Sequence, residues 1–314
     1  MNAIEEEFAY GFHTLKKAKL VGIWYKICIE VEKFKEKKFN IIDLYAGDGF
    51  SRHRTPDGVK QEWGPPLRAI SMIVESQAKN VRCAFNDREK RKIEKLEKNL
   101  MENINGFNKK EQIIGFFHKD ANIVYNDLFQ FIDARNHNLF FLDPQKHGQL
   151  HWNSIEDIAN FSINDTYKNN SFIRRPELLI NFMTYTMQKN YKTSEKVRDE
   201  IDKSLGVSRQ TWMKKVKECE INEIPVYRAF LDIFIEKLNE YYPKEKCILP
   251  FPVSGVQSEG PIYFLILAST HPMAHKITFN KFDKYITREF KEVDHDYRKE
   301  LARMREGKLL TDYF

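Results

Sequence analysis

The chain has 314 residues, 42% of them hydrophobic, which is ample for a packed core and slightly long for one average domain. Its 51 basic and 45 acidic side chains leave a formal charge of +6, a mild surplus that permits a polyanionic partner without demanding one. No apolar stretch is long enough to cross a bilayer, the opening MNAIEEEF is acidic where a signal peptide would be basic and then apolar, and Cys28, Cys83, Cys219 and Cys247 are too scattered to suggest a disulfide framework or a zinc site. The expectation is a cytoplasmic protein in a reducing compartment, with no membrane partner.

Residues 12–36 are expected to be helical, because Leu15, Leu20, Ile23, Trp24, Ile27 and Val31 recur at helix-like spacing. The run FNIIDLYAGDGF, from Phe39 to Phe50, joins a buried strand to a glycine-bracketed turn. Ile41 and Ile42 suit a strand covered on both faces, and Asp43 sets a carboxylate at its carboxyl end. Tyr45 and Ala46 enter the turn, where Gly47 and Gly49 let the backbone pass close to a ligand. From Ser51 to Pro66 a polar loop is expected, carrying Arg52, His53, Arg54 and Lys60 and ending in Trp63. Cations beside an aromatic suit phosphates and a stacked base; the alternative is a solvated charged loop.

A helix with Leu67, Ile70, Ile73 and Val74 follows, then a strand from Val81 to Phe85 that ends at Asn86 and Asp87. Next come a charged helix striped by Ile93, Leu96 and Leu100, the apolar run Ile113 to Phe117 ahead of Asp120, and a helix over Leu128 to Ile132. The strand NLFFLDPQ, Asn138 to Gln145, again ends in an acid, Asp143, followed by Pro144. Alternating strands and helices predict an α/β fold with a Rossmann-like, doubly wound, mostly parallel sheet.

Glu177 to Met183 reads as another buried strand, Tyr227 to Tyr241 as an amphipathic helix, Ile262 to Ala268 as the last strong strand, and the tail after Phe282 as a charged helix. Between them the polar stretch Gln188 to Glu223 has no strand pattern and reads as a helical insertion. The division is an N-terminal helical segment (1–36), a core (37–185), the insertion (186–225), the completion of the core (226–280) and a C-terminal helical tail (281–314). Within the insertion, Val197 to Val216 mimics a helix-turn-helix, with Gly206 in the turn, Ser208 as cap, and Gln210 and Thr211 facing out. Packing of Leu205, Val207 and Trp212 within a small helical unit accounts for the same short pattern and is preferred.

The acid-glycine turn at Asp43 to Gly49, Asp87, Asp120 and the Asp143-Pro144 pair together resemble the ordered motifs of class I S-adenosylmethionine-dependent methyltransferases. More narrowly, DLYAGDGFSR, GPPL (Gly64 to Leu67), FFLDPQKHG and IYFLILASTHP, in that order over residues 10–280, are similar to the three-Cys-motif partner proteins. The resemblance implies a methyltransferase using S-adenosylmethionine, with nucleic acid as the expected substrate and a three-Cys-motif protein as a partner. It implies that Asp43 orients the methionine ammonium, that the Tyr45 to Gly49 backbone shapes the pocket, that Asp87 holds the ribose hydroxyls and that Asp120 meets the adenine amine. Asp143 and Pro144 would accept the hydrogens of an exocyclic base amine.

One departure stands out. The family usually has an aromatic residue and glycine directly after the Asp-Pro pair, whereas here Gln145, Lys146 and His147 precede Gly148. Gln145 can hydrogen-bond a base edge but not stack as an aromatic ring does, and His147 can stack or take a proton. Three alternatives remain open. They are acids that simply cap helices, an inactive cofactor-binding or partner-interaction module, and a nicotinamide oxidoreductase. The last is disfavoured, because Arg52 stands where a third glycine of G-x-G-x-x-G would be.

Overall fold

A computed structural model describes residues 3–32, 37–55, 58–167, 170–242, 248–254 and 261–271, without the side chains of 3–13, 15, 53–55, 58, 167, 170 and 254. Helix α1 (Ala3–Glu32) precedes β1 (Phe39–Asp43), the hairpin β2 (Phe50–Thr55) and β3 (Gly58–Trp63), α2 (Pro65–Ser76), β4 (Val81–Asn86) and α3 (Lys90–Asn103). Then come α4 (Lys109–Gln112), β5 (Ile113–Phe117), α5 (Tyr125–Leu128), β6 (His137–Leu142), α6 (Trp152–Asn160), a second hairpin of β7 (Ile163–Tyr167) and β8 (Asn170–Arg174), and β9 (Glu177–Phe182). The chain continues through α7 (Thr184–Asn190), α8 (Glu195–Leu205), α9 (Arg209–Ile221) and α10 (Tyr227–Asn239) to β10 (Ile248–Ser254) and β11 (Pro261–Ala268).

Seven strands form one sheet in the order β10-β11-β9-β6-β1-β4-β5. Strands β5, β4, β1, β6 and β9 pair in parallel, as the alternation of strands and helices predicts. Strand β11 departs from that expectation and runs antiparallel to both β9 and β10. Only six residues separate β10 from β11. So short a link joins antiparallel neighbours, whereas a parallel crossover needs a dozen residues or more. Strand β10 was not legible in the sequence because Pro250 and Pro252 interrupt it; at the sheet edge proline's missing N–H is tolerated.

Alternate side chains of each strand enter different cores, as the two-residue period of a strand requires. Ile42, Phe140, Leu142, Leu178 and Ile180 join α6 and α8 to α10 on one face. Phe39, Ile41, Leu139, Phe141 and Leu179 join α1, α2 and α3 on the other. The expected stripe of α3, Ile93, Leu96 and Leu100, is buried, as are Leu20 and Trp24 of α1, while Val31 is exposed and the Leu15 side chain lies outside the described residues.

Three local expectations differ from the structure. The polar loop over 51–66 is the β2–β3 hairpin, in which Phe50 pairs with Trp63 and Arg52 with Gln61. Its polar residues carry no alternating apolar pattern, so only pairing across the turn reveals the strands. The β7–β8 hairpin escapes for the same reason. The helix expected over 128–132 is the single turn α5, which ends at Leu128. The tail beyond residue 271, with Cys247 and Pro272, lies outside the described residues, and Cys28, Cys83 and Cys219 are buried and outside any disulfide among the described residues.

Candidate functional site

From β1 the chain winds outward through β4 to β5, and from β6 it winds the other way through β9. The carboxyl ends of β1 and β6 therefore flank a topological switch point, where open α/β sheets leave a crevice. A cavity of about 470 Å³ lies there, lined by Tyr45, Gly47, Asp87, Asp120, Gln145 and His147 together with Lys92, Asn122, Gln149, His151 and Glu200. That volume suits a cofactor-sized ligand.

On one wall Asp87 ties two strand ends together. Its Oδ2 accepts the Gly47 N–H at 3.2 Å and its Oδ1 accepts the Glu89 N–H at 2.9 Å. Each carboxylate oxygen has a second lone pair, so the bridge keeps acceptors for further donors. Gly47 adopts φ 61, and a Cβ built on it would meet nothing within 4 Å, so the turn presents bare backbone to open space. Asp120 forms a local turn, its Oδ1 accepting from the N–H and the Nδ2 of Asn122 at 2.8 and 2.9 Å. Asn122 also donates through Nδ2 to Gln149 O at 2.9 Å, linking this wall to the loop after β6.

Asp43, Ala46 and Gly49 stand behind the lining rather than in it. Asp43 is 1% exposed, and its Oδ1 accepts the Tyr45 N–H at 2.9 Å. Burial pushes its carboxyl well above the usual range, against the pull of the Tyr45 N–H. Asp43 thus shapes the turn from within. Gly49 takes φ 86, and a Cβ there would overlap Leu67. Tyr45 reaches across the crevice floor, its hydroxyl donating to Gln149 O at 2.9 Å.

Asn86, which the sequence reading passed over, joins three segments. It is 1% exposed and donates through Nδ2 to Leu44 O at 3.0 Å and Lys119 O at 3.1 Å, while its Oδ1 accepts the Lys119 N–H at 3.0 Å. The only sequence signal was an amide closing an apolar strand.

Asp143 is not among the residues that line the crevice. Its Oδ1 accepts from Lys17 Nζ of α1 at 2.6 Å and from Asn181 Nδ2 of β9 at 2.7 Å, with the Lys17 and Asp143 side chains 14% and 15% exposed. Pro144 borders a smaller void beside Asn181 and Met183. The following loop is closed by Gln149, whose Oε1 accepts the N–H groups of Gln145 at 2.7 Å and Lys146 at 3.2 Å. Gly148 at φ 82 donates its N–H to Ser204 Oγ of α8 at 2.9 Å, and a Cβ on it would strike Glu200. Helix α8 thereby grips this loop. His147 is buried, and burial lowers its pKa despite the nearby Glu200 carboxylate.

Arg52 and Trp63, expected beside the cleft, are not in its lining. Arg52 forms a two-pronged pair with Asp48, at 3.1 Å to Oδ1 and 2.7 Å to Oδ2. Burial opposes ionisation of Asp48, but the Arg52 bonds outweigh it and hold the carboxyl below its ordinary value. Trp63 packs half-buried on the α1–α3 core, and its carbonyl accepts from Arg68 Nε at 2.7 Å. Arg54 falls on β2 with its side chain outside the described residues. In the insertion, Ser194 and Ser208 cap α8 and α9, and Trp212, wholly buried, packs against Tyr191 and Phe230, while Gln210 and Thr211 are exposed.

Among the described residues no helix is long and apolar enough to cross a membrane. No family model and no curated protein matches this sequence. Among solved structures, the chain is similar to a protein from Legionella pneumophila str. Philadelphia 1 (11% identity, 91% of this chain and 94% of that one, TM-score 0.45). It is similar also to the methyltransferase domain of bacterial CtHen1 (12% identity, 79% and 98%, TM-score 0.37). A third likeness is to the plantazolicin methyltransferase BamL, solved with a triazolic desmethylPZN analog and SAH (11% identity, 93% and 92%, TM-score 0.36). With likenesses this distant, the functional reading stands on the site's own geometry.

Proposed function

We propose that this chain is an S-adenosylmethionine-dependent methyltransferase acting on nucleic acid, with a motif order similar to that of the three-Cys-motif partner proteins. The observation that carries the reading is the bridge from the Gly47 N–H to the Asp87 carboxylate at the mouth of the switch-point crevice. A bare glycine turn beside a carboxylate with spare lone pairs fits the carboxyl end and the ribose diol of an adenosyl sulfonium. Asp120, at the far wall, suits the adenine amine. When bound, the group supplies an electrophilic methyl carbon. The protein's residues hold its nucleoside and exclude water. Titration calorimetry tests this directly: S-adenosylhomocysteine should bind, reduced nicotinamide should not, and Asp87→Ala should weaken S-adenosylhomocysteine binding at least about 10-fold, the size of a lost charge-assisted bond. Equal binding by the variant would refute it.

A second reading, a cofactor-binding partner module without transfer activity, is favoured by one observation, the pairing of Asp143 with Lys17 outside the crevice. Transfer of tritiated methyl to RNA or DNA by the wild-type protein would exclude it.

A further inference from the structure

We propose that the proton acceptor of this site is Nε2 of His147, set in the correct tautomer by Thr186 and paired with Glu200 of α8 to receive the hydrogen of an N–H or O–H acceptor group. The inference deepens the methyltransferase reading and rests on it. The Thr186 hydroxyl donates to Met183 O at 3.0 Å, which uses its single hydrogen. With that bond formed, His147 Nδ1, 3.1 Å from the same hydroxyl oxygen, is assigned as the donor in its contact. The proton sits on Nδ1, and Nε2 carries a lone pair.

That lone pair has no hydrogen-bond partner although His147 is only 7% exposed. Glu200 Oε2, another acceptor, lies 3.6 Å from it. A buried ring nitrogen facing a part-exposed carboxylate, both acceptors on this assignment, lacks a hydrogen to share, and both residues line the cavity. A group bearing an N–H or O–H completes the arrangement. Asp143 cannot play this part where it stands, since Lys17 and Asn181 hold it outside the lining.

The charged groups facing His147 are Glu200 from α8 and Lys146 from its own loop; burial is the largest influence and keeps the ring neutral. In the transfer step the acceptor heteroatom's lone pair forms the new bond to the methyl carbon, and the carbon–sulfur pair leaves with sulfur. The acceptor's proton passes to Nε2. The resulting imidazolium is balanced by the Glu200 carboxylate. The insertion thus contributes a working side chain, and Thr186 acts as a positioning residue.

The test is nitrogen-15 spectroscopy of the histidine rings in the full chain, with His147 assigned by comparison with His147→Gln. The expected result is an Nδ1–H tautomer at pH 7.5 that protonates below pH 6.5, loss of the tautomer preference in Thr186→Val, and a still lower midpoint in Glu200→Gln. An Nε2–H tautomer, or a midpoint above 6.5 that would mark a structural His–Glu ion pair, overturns the proposal. A second readout is single-turnover tritium transfer to total cellular RNA and to sheared DNA. Transfer should fall at least about 100-fold in His147→Gln, far more than any change in S-adenosylhomocysteine affinity. Failure of the wild-type protein to bind S-adenosylhomocysteine sinks the methyl-donor reading instead, and the spectroscopy separates the two failures.

Discussion

His137 opens β6, the strand whose far end delivers Asp143 and Pro144, and it is held between two buried carboxylates. Its Nδ1 lies 3.1 Å from Glu32 Oε1 and its Nε2 lies 3.4 Å from Glu177 Oε2, with the imidazole 19% exposed. Burial alone would lower its pKa, but Glu177 and then Glu32 outweigh it and raise the value to about 9. In the unfolded chain the ring titrates near about 6.5. Between those values the folded protein holds one proton more than the unfolded chain, so stability falls as pH rises. The contribution is complete below about pH 6.5 and gone above the folded pKa of about 9. At about 1.36 kcal/mol per pH unit the separation amounts to roughly 3 kcal/mol. The same interaction lowers the Glu177 carboxyl and is counted once. Urea unfolding of the wild-type protein and His137→Gln, at intervals from pH 6 to pH 10, isolates the effect. The wild type should lose roughly 3 kcal/mol relative to the variant across that range. Parallel pH profiles for the two proteins would refute the reasoning.

Lys17→Met leaves the part-buried Asp143 carboxylate with Asn181 as its remaining partner among these contacts. It should cost about 2 kcal/mol in urea unfolding, and much of that should return in Lys17→Met/Asp143→Leu, whose pair has no charge left to strand. Gly206→Ala should cost about 3 kcal/mol, because Gly206 sits at φ 64 and a Cβ there would overlap the Trp152 ring. Circular dichroism of its thermal transition reads the loss. If the insertion is a packing unit, Lys214→Glu/Lys217→Glu should leave retention on RNA and on DNA unchanged in filter binding. A marked weakening would instead make α9 a nucleic-acid helix.

The sequence by itself determined the sheet's inner strands and the helices α1 to α3, while α6 went unread and α5 was expected too late in the chain. Ile41 and Ile42 in β1, the apolar run before Asn86 and the stripe of α3 are local patterns with periods of two and 3.6 residues, and such periods need no distant partner to be read. It also determined six residues of the crevice lining, Tyr45, Gly47, Asp87, Asp120, Gln145 and His147, because strand ends are where an α/β sheet opens. Tertiary structure alone decided the rest. The polar hairpins exist through cross-strand pairing, and β11 runs backwards because its link to β10 is short. Lys17 reaches Asp143 across 126 positions of sequence, and Thr186 and Glu200 meet His147 from two separate helices. Charge and hydrogen-bond partners of this kind are set by which surfaces the core brings together, and long-range packing leaves no period in the chain.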